Sequence, residues 1–112
     1  MQIDNFKIGS NRCFIIAEIG NNHNGSFDRA IEMIDSAISM GVDCVKFQMR
    51  HLDQVYRKKS LERSGEDLGT EYIIDLLNRF ELSLDEHREI SRYCKKKKIL
   101  YMCTPWDSKS VD

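Results

Sequence analysis

The sequence predicts an α/β fold in which parallel strands alternate with helices. Apolar runs typical of buried strands recur along the chain, and amphipathic helical repeats separate them. The first two strands are about 30 residues apart, close to one eighth of the ~250 residues of a typical (β/α)8 barrel. Both an open doubly wound sheet and part of a barrel fit this order, and the spacing favours the barrel.

The first half of the chain holds two strands and the helix between them. Strand one is predicted over Cys13–Ile19, because this run is apolar on both faces for most of its length, as in strands buried on both sides. The next helix begins at Ser26, a good N-cap, and its apolar residues keep helical spacing until Gly41 ends it. Strand two is predicted over Asp43–Gln48.

The second half repeats this order after a long polar excursion over residues 49–69 and a short amphipathic helix. Ser83 and Glu86 then match a capping box, which opens a helix that reaches about Lys97. Strand three is predicted over Ile99–Thr104, and the only proline of the chain stops it.

Composition excludes several classes of protein. With 41% hydrophobic and 31% charged residues, the chain is predicted to be globular rather than disordered. No apolar run approaches the ~20 residues that cross a bilayer, and the N-terminus lacks the layout of a secretory signal, so we expect a cytoplasmic location. A formal net charge of -1 gives no reason to expect nucleic acid, and the lysine run 95–98 is interpreted as a solvated helix end.

Neither the cysteines nor the histidines are spaced like metal ligands. The four cysteines form no Cys-x-x-Cys pair and at least three fall in apolar, strand-like settings, so we expect buried, reduced thiols. The three histidines are equally dispersed, and no complete metal site is expected within these residues.

Polar residues gather at the carboxyl ends of the predicted strands. By the two-residue period of a strand, Glu18 faces one side of strand one, and Lys46 and Gln48 share one side of strand two. In parallel neighbours ~4.8 Å apart, Glu18 and Lys46 are predicted to lie together at the edge where such folds place active sites. The alternative is a buried ion pair that fills the sheet. Thr104 either adds a hydroxyl at this level or is simply a β-former before a proline.

The loop GNNHNG, residues 20–25, joins strand one to its helix. It can expose backbone amides at the helix N-terminus, a setting that favours anions, although its spacing matches neither common nucleotide-binding motif. Two interpretations of Asn22 and His23 stay open: they face a substrate, or they hold the turn together.

Three motifs in this order resemble the N-terminal part of the N-acetylneuraminate (sialic acid) synthase family: FIIAEIGNNHNG, AISMGVDCVKFQ and ILYMCTPWD. The family pattern A-E-I-G-x-N-H-x-G fits residues 17–25, and its K-x-Q fits Lys46 and Gln48. The resemblance implies a partial TIM (β/α)8 barrel, in which residues 1–112 form an incomplete domain with the first three parallel strands and their helices. Ile19-Gly20 favours the sialic or legionaminic acid synthases over those of pseudaminic acid.

The resemblance also implies the reaction. Such enzymes condense phosphoenolpyruvate with the open-chain aldehyde of an N-acetylated amino sugar such as N-acetylmannosamine: C3 of the enol attacks the aldehyde, water adds at C2, and phosphate leaves by C–O cleavage. By position, Lys46 and Thr104 are expected to hold phosphoenolpyruvate and Gln48 to contact the sugar, with Glu18 as the catalytic acid or base. Asn22 and His23 complete the substrate-binding candidates.

A divalent metal, Mn2+ or Mg2+, is implied as a Lewis acid on the aldehyde oxygen, with its ligands outside residues 1–112. We expect the full-length enzyme to be a homodimer and the chain alone to be inactive. Two other classes remain open at this stage: a non-catalytic α/β binding module, and a Schiff-base aldolase-type barrel that uses its strand-end lysine.

Overall fold

The computed structural model describes residues 1–9, 11–56 and 70–111. A short antiparallel hairpin opens the chain, and three parallel strands follow, which form one sheet in chain order. The α/β fold with a parallel sheet is therefore confirmed. The strands are β1 (Gln2–Ile3), β2 (Phe6–Lys7), β3 (Ile16–Gly20), β4 (Cys44–Met49) and β5 (Leu100–Pro105).

Four helices and a short 3-10 turn were found in the described residues. The predicted polar excursion after the second strand falls largely on residues 57–69, which lie outside the described part. The helices are α1 (Phe27–Ser39), α2 (Leu52–Val55), α3 (Thr70–Phe80) and α4 (Leu84–Lys97), and the 3-10 turn spans Ser108–Ser110.

Local sequence signals set the ends of α1 and α4 as predicted. The Ser26 hydroxyl caps α1 by accepting from the Arg29 amide at 3.2 Å, and Gly41 follows the helix with a φ of +75°, which favours glycine. The Ser83 and Glu86 side chains form the reciprocal capping box of α4. Its lysine-rich last turn is exposed, as expected of a solvated helix end.

One face of the sheet packs against the helices and forms the core. Val45 and Phe47 project from β4 into this layer and are fully buried. Because side chains alternate along a strand, the neighbouring Lys46 and Gln48 must face the other way. The remaining buried members of this core are Ile19, Ala30, Ile34, Ala37, Leu82, Ile90, Cys94 and Ile99.

The prediction of a first strand buried on both sides was wrong. β3 begins only at Ile16, Cys13 is exposed, and Ile15 and Ile16 are 50% and 38% exposed. Within the described residues, the face that carries Ile16 is not covered by a helix layer, so an apolar side chain there remains open. The prediction of buried thiols fails in part, since Cys13 is exposed and Cys103 is only partly buried, whereas Cys44 and Cys94 are buried.

The N-terminal hairpin was not predicted. Its two-residue turn is Asp4-Asn5, with Asp4 at a φ of +47°, and such residues tolerate the left-handed conformation that tight hairpins need. The edge of the Phe6 ring packs against Phe14 with the ring centres 5.1 Å apart, so the hairpin lies beside the chain that leads into β3.

Candidate active site

Glu18 and Lys46 form an ion pair at the carboxyl ends of two neighbouring strands. β3 and β4 run parallel with Glu18 opposite Lys46, and Lys46 Nζ lies 2.7 Å from Glu18 Oε1. This contact requires both side chains to lie on the same side of the sheet. The predicted juxtaposition of the two residues is therefore confirmed.

The pair is accessible rather than sealed inside the protein. The Glu18 side chain is 56% exposed and that of Lys46 is 30% exposed. The alternative of a buried ion pair that fills the sheet therefore does not describe this chain. An exposed pair of this kind contributes only about 0–1 kcal/mol to stability, so Lys46 can exchange its partner for another anion at little cost.

Gln48 and Thr104 extend the same face toward the rim. Lys46 pairs with Met102 and Gln48 with Thr104 in the parallel register of β4 and β5, so Gln48 and Thr104 lie one pleat beyond Lys46 on its side. The register of β3 shifts between Glu18 and Gly20. A Cβ added at Gly20 would lie 3.6 Å from Gln48 Nε2, which places the Gln48 amide against the end of β3.

Arg50, directly after β4, was missed by the sequence analysis. Its side chain is only 8% exposed, and its Nε lies 2.9 Å from Glu81 Oε1, in the connection between α3 and α4. A second guanidinium nitrogen donates to Gln48 Oε1 at 2.8 Å, and Cζ lies 5.0 Å from the centre of the Trp106 ring. Burial raises the pKa of Glu81, and the charge of Arg50 opposes that shift.

Asp107 ties the segment after β5 to the segment after β4, and it too was missed. Its carboxylate accepts from the His51 amide at 2.7 Å and from the amide and hydroxyl of Ser110 at 2.9 and 2.8 Å. Burial alone would raise the pKa of Asp107, but these hydrogen bonds lower it to about 2. Both loops at the rim are thereby held beside the strands.

The structure does not bring His23 to the open face. Its side chain is 1% exposed, Nδ1 accepts from the Gly25 amide at 3.1 Å, and its ring stacks on Phe47 with centres 5.9 Å apart. Burial lowers the pKa of His23. The exposed Asn22 likewise donates from its side chain to Ile19 O at 2.9 Å. These contacts favour the interpretation in which both residues hold the turn together.

The loop amides are also largely occupied, contrary to the expectation of an anion-binding turn. The amides of Asn22, Asn24 and Ser26 donate to carbonyls within residues 19–23, and that of Gly25 donates to His23. Backbone carbonyls and the His23 ring therefore already accept hydrogen bonds from these loop amides.

Behind the sheet, Phe47 lies between two histidines and a tyrosine. Its ring centre is 5.9 Å from that of His23, 6.1 Å from that of His87 and 5.7 Å from that of Tyr101. His87 Nδ1 and the Tyr101 hydroxyl are 2.8 Å apart, while His87 Nε2 is buried without a hydrogen-bond partner. Burial, assisted by the nearby His23, lowers the pKa of His87 to about 4.

The metal implied by the sequence resemblance lacks a complete ligand set in the described part of the chain. In residues 1–9, 11–56 and 70–111, no three His, Cys, Asp or Glu side chains come together in a way that could hold an ion. Among the described strand residues of the open face, the one carboxylate is that of Glu18, and it is paired with Lys46.

No helix in the described ranges has both the length and the apolar character needed to cross a membrane. What the described residues define is an α/β protein whose parallel strands end in charged and amide side chains at one accessible rim, an arrangement typical of enzymes that bind small anionic substrates.

Residues 33–112 match the NeuB family model, and the chain belongs to the NeuB family. It is 38% identical over 107 residues to human N-acetylneuraminate-9-phosphate synthase, an alignment that covers 93% of this chain and 30% of that protein. With N,N'-diacetyllegionaminic acid synthase of Campylobacter jejuni the identity is 34%, covering 90% of this chain and 31% of the relative.

The fold is similar to that of a solved N-acetylneuraminic acid (sialic acid) synthetase from Leptospira borgpetersenii serovar Hardjo-bovis, determined in complex with citrate. The TM-score is 0.76 at 33% identity, over 99% of this chain and 35% of that one. The chain thus spans about a third of the length of the relatives it matches.

Proposed function

We propose that the rim formed by Glu18, Lys46, Gln48 and Thr104 is part of the active site of a synthase that makes a sialic acid-type nonulosonic acid. In this proposal, the enzyme condenses phosphoenolpyruvate with N-acetylmannosamine or a related N-acetylated amino sugar and releases phosphate. The observation that carries it is the accessible Glu18–Lys46 pair, with 2.7 Å between its charged atoms, in a member of the NeuB family.

The proposed roles follow from the chemistry of the side chains. Lys46 is a compact cation that can leave Glu18 for the carboxylate of phosphoenolpyruvate, with the Thr104 hydroxyl as a second donor. Glu18, once released, is a free carboxylate that can accept a proton from the attacking water and then, as a carboxylic acid, donate it to the aldehyde oxygen. Gln48 contacts the sugar. Since the described residues offer no complete metal site, we derive no step through Mn2+ or Mg2+.

The open face of the sheet supports a barrel that contains more strands than those described. Ile16 and Met102 lie on the face opposite the helices with no layer over them in the described residues, and in a closed barrel this face turns inward. Because the chain spans only about a third of its relatives, we propose that it is inactive alone and acts as the N-terminal part of a barrel. The homodimer and the cytoplasmic location stay predictions.

A Schiff-base aldolase fits the geometry less well. Lysines that form Schiff bases are activated by apolar surroundings or by a second cation, whereas the neighbour of Lys46 is a carboxylate. Borohydride trapping with pyruvate labels Lys46 in an aldolase and leaves it untouched in the proposed synthase. A non-catalytic binding module, in turn, shows no change in stability with phosphoenolpyruvate.

The test is the thermal shift that phosphoenolpyruvate produces in the full protein carrying this chain. A ligand that binds only the folded state stabilises it by ~2.7 kcal/mol at a hundred times its Kd. We expect Lys46→Met to lose most of this shift, because its binding charge is gone. The matched control is Lys97→Met, which removes an exposed lysine paired with Asp35 on the helix side. A full shift in Lys46→Met would refute the proposed role.

A further inference from the structure

We propose that Arg50 is a positioning residue that makes Gln48 a hydrogen-bond donor toward β3. This inference rests on the proposed function for its substrate, but its geometry is independent of it. A guanidinium carries only donors, so its contact at 2.8 Å must be with the Gln48 carbonyl oxygen. The Gln48 NH2 group is then turned the other way, and Gln48 Nε2 lies beside Gly20 in β3.

Arg50 can impose this orientation because its guanidinium is confined by two neighbours and by burial. Nε lies 2.9 Å from Glu81 Oε1 as an ion pair without hydrogen-bond geometry, Cζ lies 5.0 Å from the centre of the Trp106 ring, and the side chain is 8% exposed. A planar guanidinium fixed in this way has few alternative rotamers, so the amide that it contacts has one preferred orientation instead of two.

The consequence is a selectivity for hydrogen-bond acceptors. With its carbonyl oxygen engaged by Arg50, Gln48 offers N–H groups to the rim that also holds Glu18 and Lys46. A site built this way accepts a carbonyl or hydroxyl oxygen of the sugar and disfavours a substrate group that can only donate.

The kinetic test compares Arg50→Met with wild type in the full protein carrying this chain. We expect the KM for the sugar to rise about tenfold, roughly the factor given by loss of one hydrogen bond, while kcat and the KM for phosphoenolpyruvate stay within about twofold. Arg50→Lys keeps a donor and the charge that faces Glu81, and is expected to recover part of the loss. Equal rises in both KM values, or a fall in kcat alone, would overturn the inference.

The matched control is Arg12→Met. Arg12 also pairs with a carboxylate, with one guanidinium nitrogen 3.0 Å from Asp43 Oδ2, but it lies at the opposite end of the strands and away from the rim. Its replacement is expected to leave the KM for the sugar within about twofold of wild type. A tenfold rise in the KM for the sugar in this control as well would show that a general loss of stability, and not the orientation of Gln48, causes the change.

A second readout requires no activity. In an amide nitrogen–proton spectrum, the side-chain signals of Gln48 are identified by their loss in Gln48→Met, and we expect them to move in Arg50→Met but not in Arg12→Met. Unchanged Gln48 signals in Arg50→Met would overturn the inference even if the kinetics agreed. If wild type turned over no sugar at all, the proposed function would fail, and these signals would still decide the role of Arg50.

Discussion

Acidification is expected to destabilise the protein through His87. This side chain is 3% exposed, its Nε2 has no hydrogen-bond partner, and its pKa is lowered to about 4 from an unfolded value of ~6.5. Between those pH values the unfolded chain binds a proton that the folded chain does not. The contribution of neutral His87 to the free energy of unfolding is therefore fully present above pH ~6.5. It is lost as the pH falls from ~6.5 to ~4 and does not change further below pH ~4.

The size of the effect follows from the shift. One pKa unit corresponds to ~1.36 kcal/mol, so a shift of about two and a half units sets an upper limit of ~3 kcal/mol on the stability lost between neutral pH and pH ~4. That is a large part of the ~5–15 kcal/mol that typical domains possess. His23, whose pKa burial also lowers, acts in the same direction and is coupled to His87.

The assay is urea unfolding at a series of pH values between 4 and 7.5, with His87→Asn as the comparison. Asparagine keeps a polar group near Nδ1 for the Tyr101 hydroxyl but does not titrate. Since the carboxylates titrate in both proteins, their contribution cancels in the difference. We expect the variant to be less stable than wild type at pH 7.5 but to lose up to ~3 kcal/mol less on acidification. Identical pH slopes, or a folded His87 that titrates near 6.5 by NMR, would refute the reasoning.

Two further predictions concern the fold. Gly25→Ala is expected to lower the free energy of unfolding by more than about 2 kcal/mol, because a Cβ at the φ of +76° would collide with the backbone carbonyl of Arg79. Equal urea midpoints for the variant and wild type would contradict this prediction. Ser83→Ala removes the reciprocal cap of α4 and should cost about 1 kcal/mol. The control is Ser91→Ala on the exposed face of α4. An equal loss of stability in Ser91→Ala would show that the loss in Ser83→Ala does not come from the cap.

The sequence predicted those features that depend on local spacing. Ser26 and the Ser83 capping box set helix starts through contacts within three residues, so their outcome needed no tertiary information. The Glu18–Lys46 contact was also predictable, because strand parity and parallel pairing together determine which side chains share a face.

Features that depend on distant segments could not be predicted in the same way. Arg50 meets Glu81 across 31 positions of sequence, which include residues outside the described part, and nothing in the residues next to Arg50 selects that partner. The burial of His23 has the same origin, because the ring of Phe47 that covers it comes from another strand. Polarity alone left two interpretations of His23 open, a substrate contact or a role in holding the turn, whereas packing against β4 decides its environment.

The two faces of β4 explain why rigidity and accessibility coexist at this rim. Phe47 is fully buried among aromatic rings behind the sheet, so the backbone on either side of it is fixed, and Lys46 and Gln48 must project from the opposite face at a constant spacing. A cation in a weak, exposed ion pair thus stands on a strand that is anchored by a fully buried side chain. This combination suits a site in which Lys46 exchanges one anion for another while the strand keeps its conformation. The Glu18–Lys46 ion pair that must break is weak, and the packing of Phe47 that supports the strand is strong.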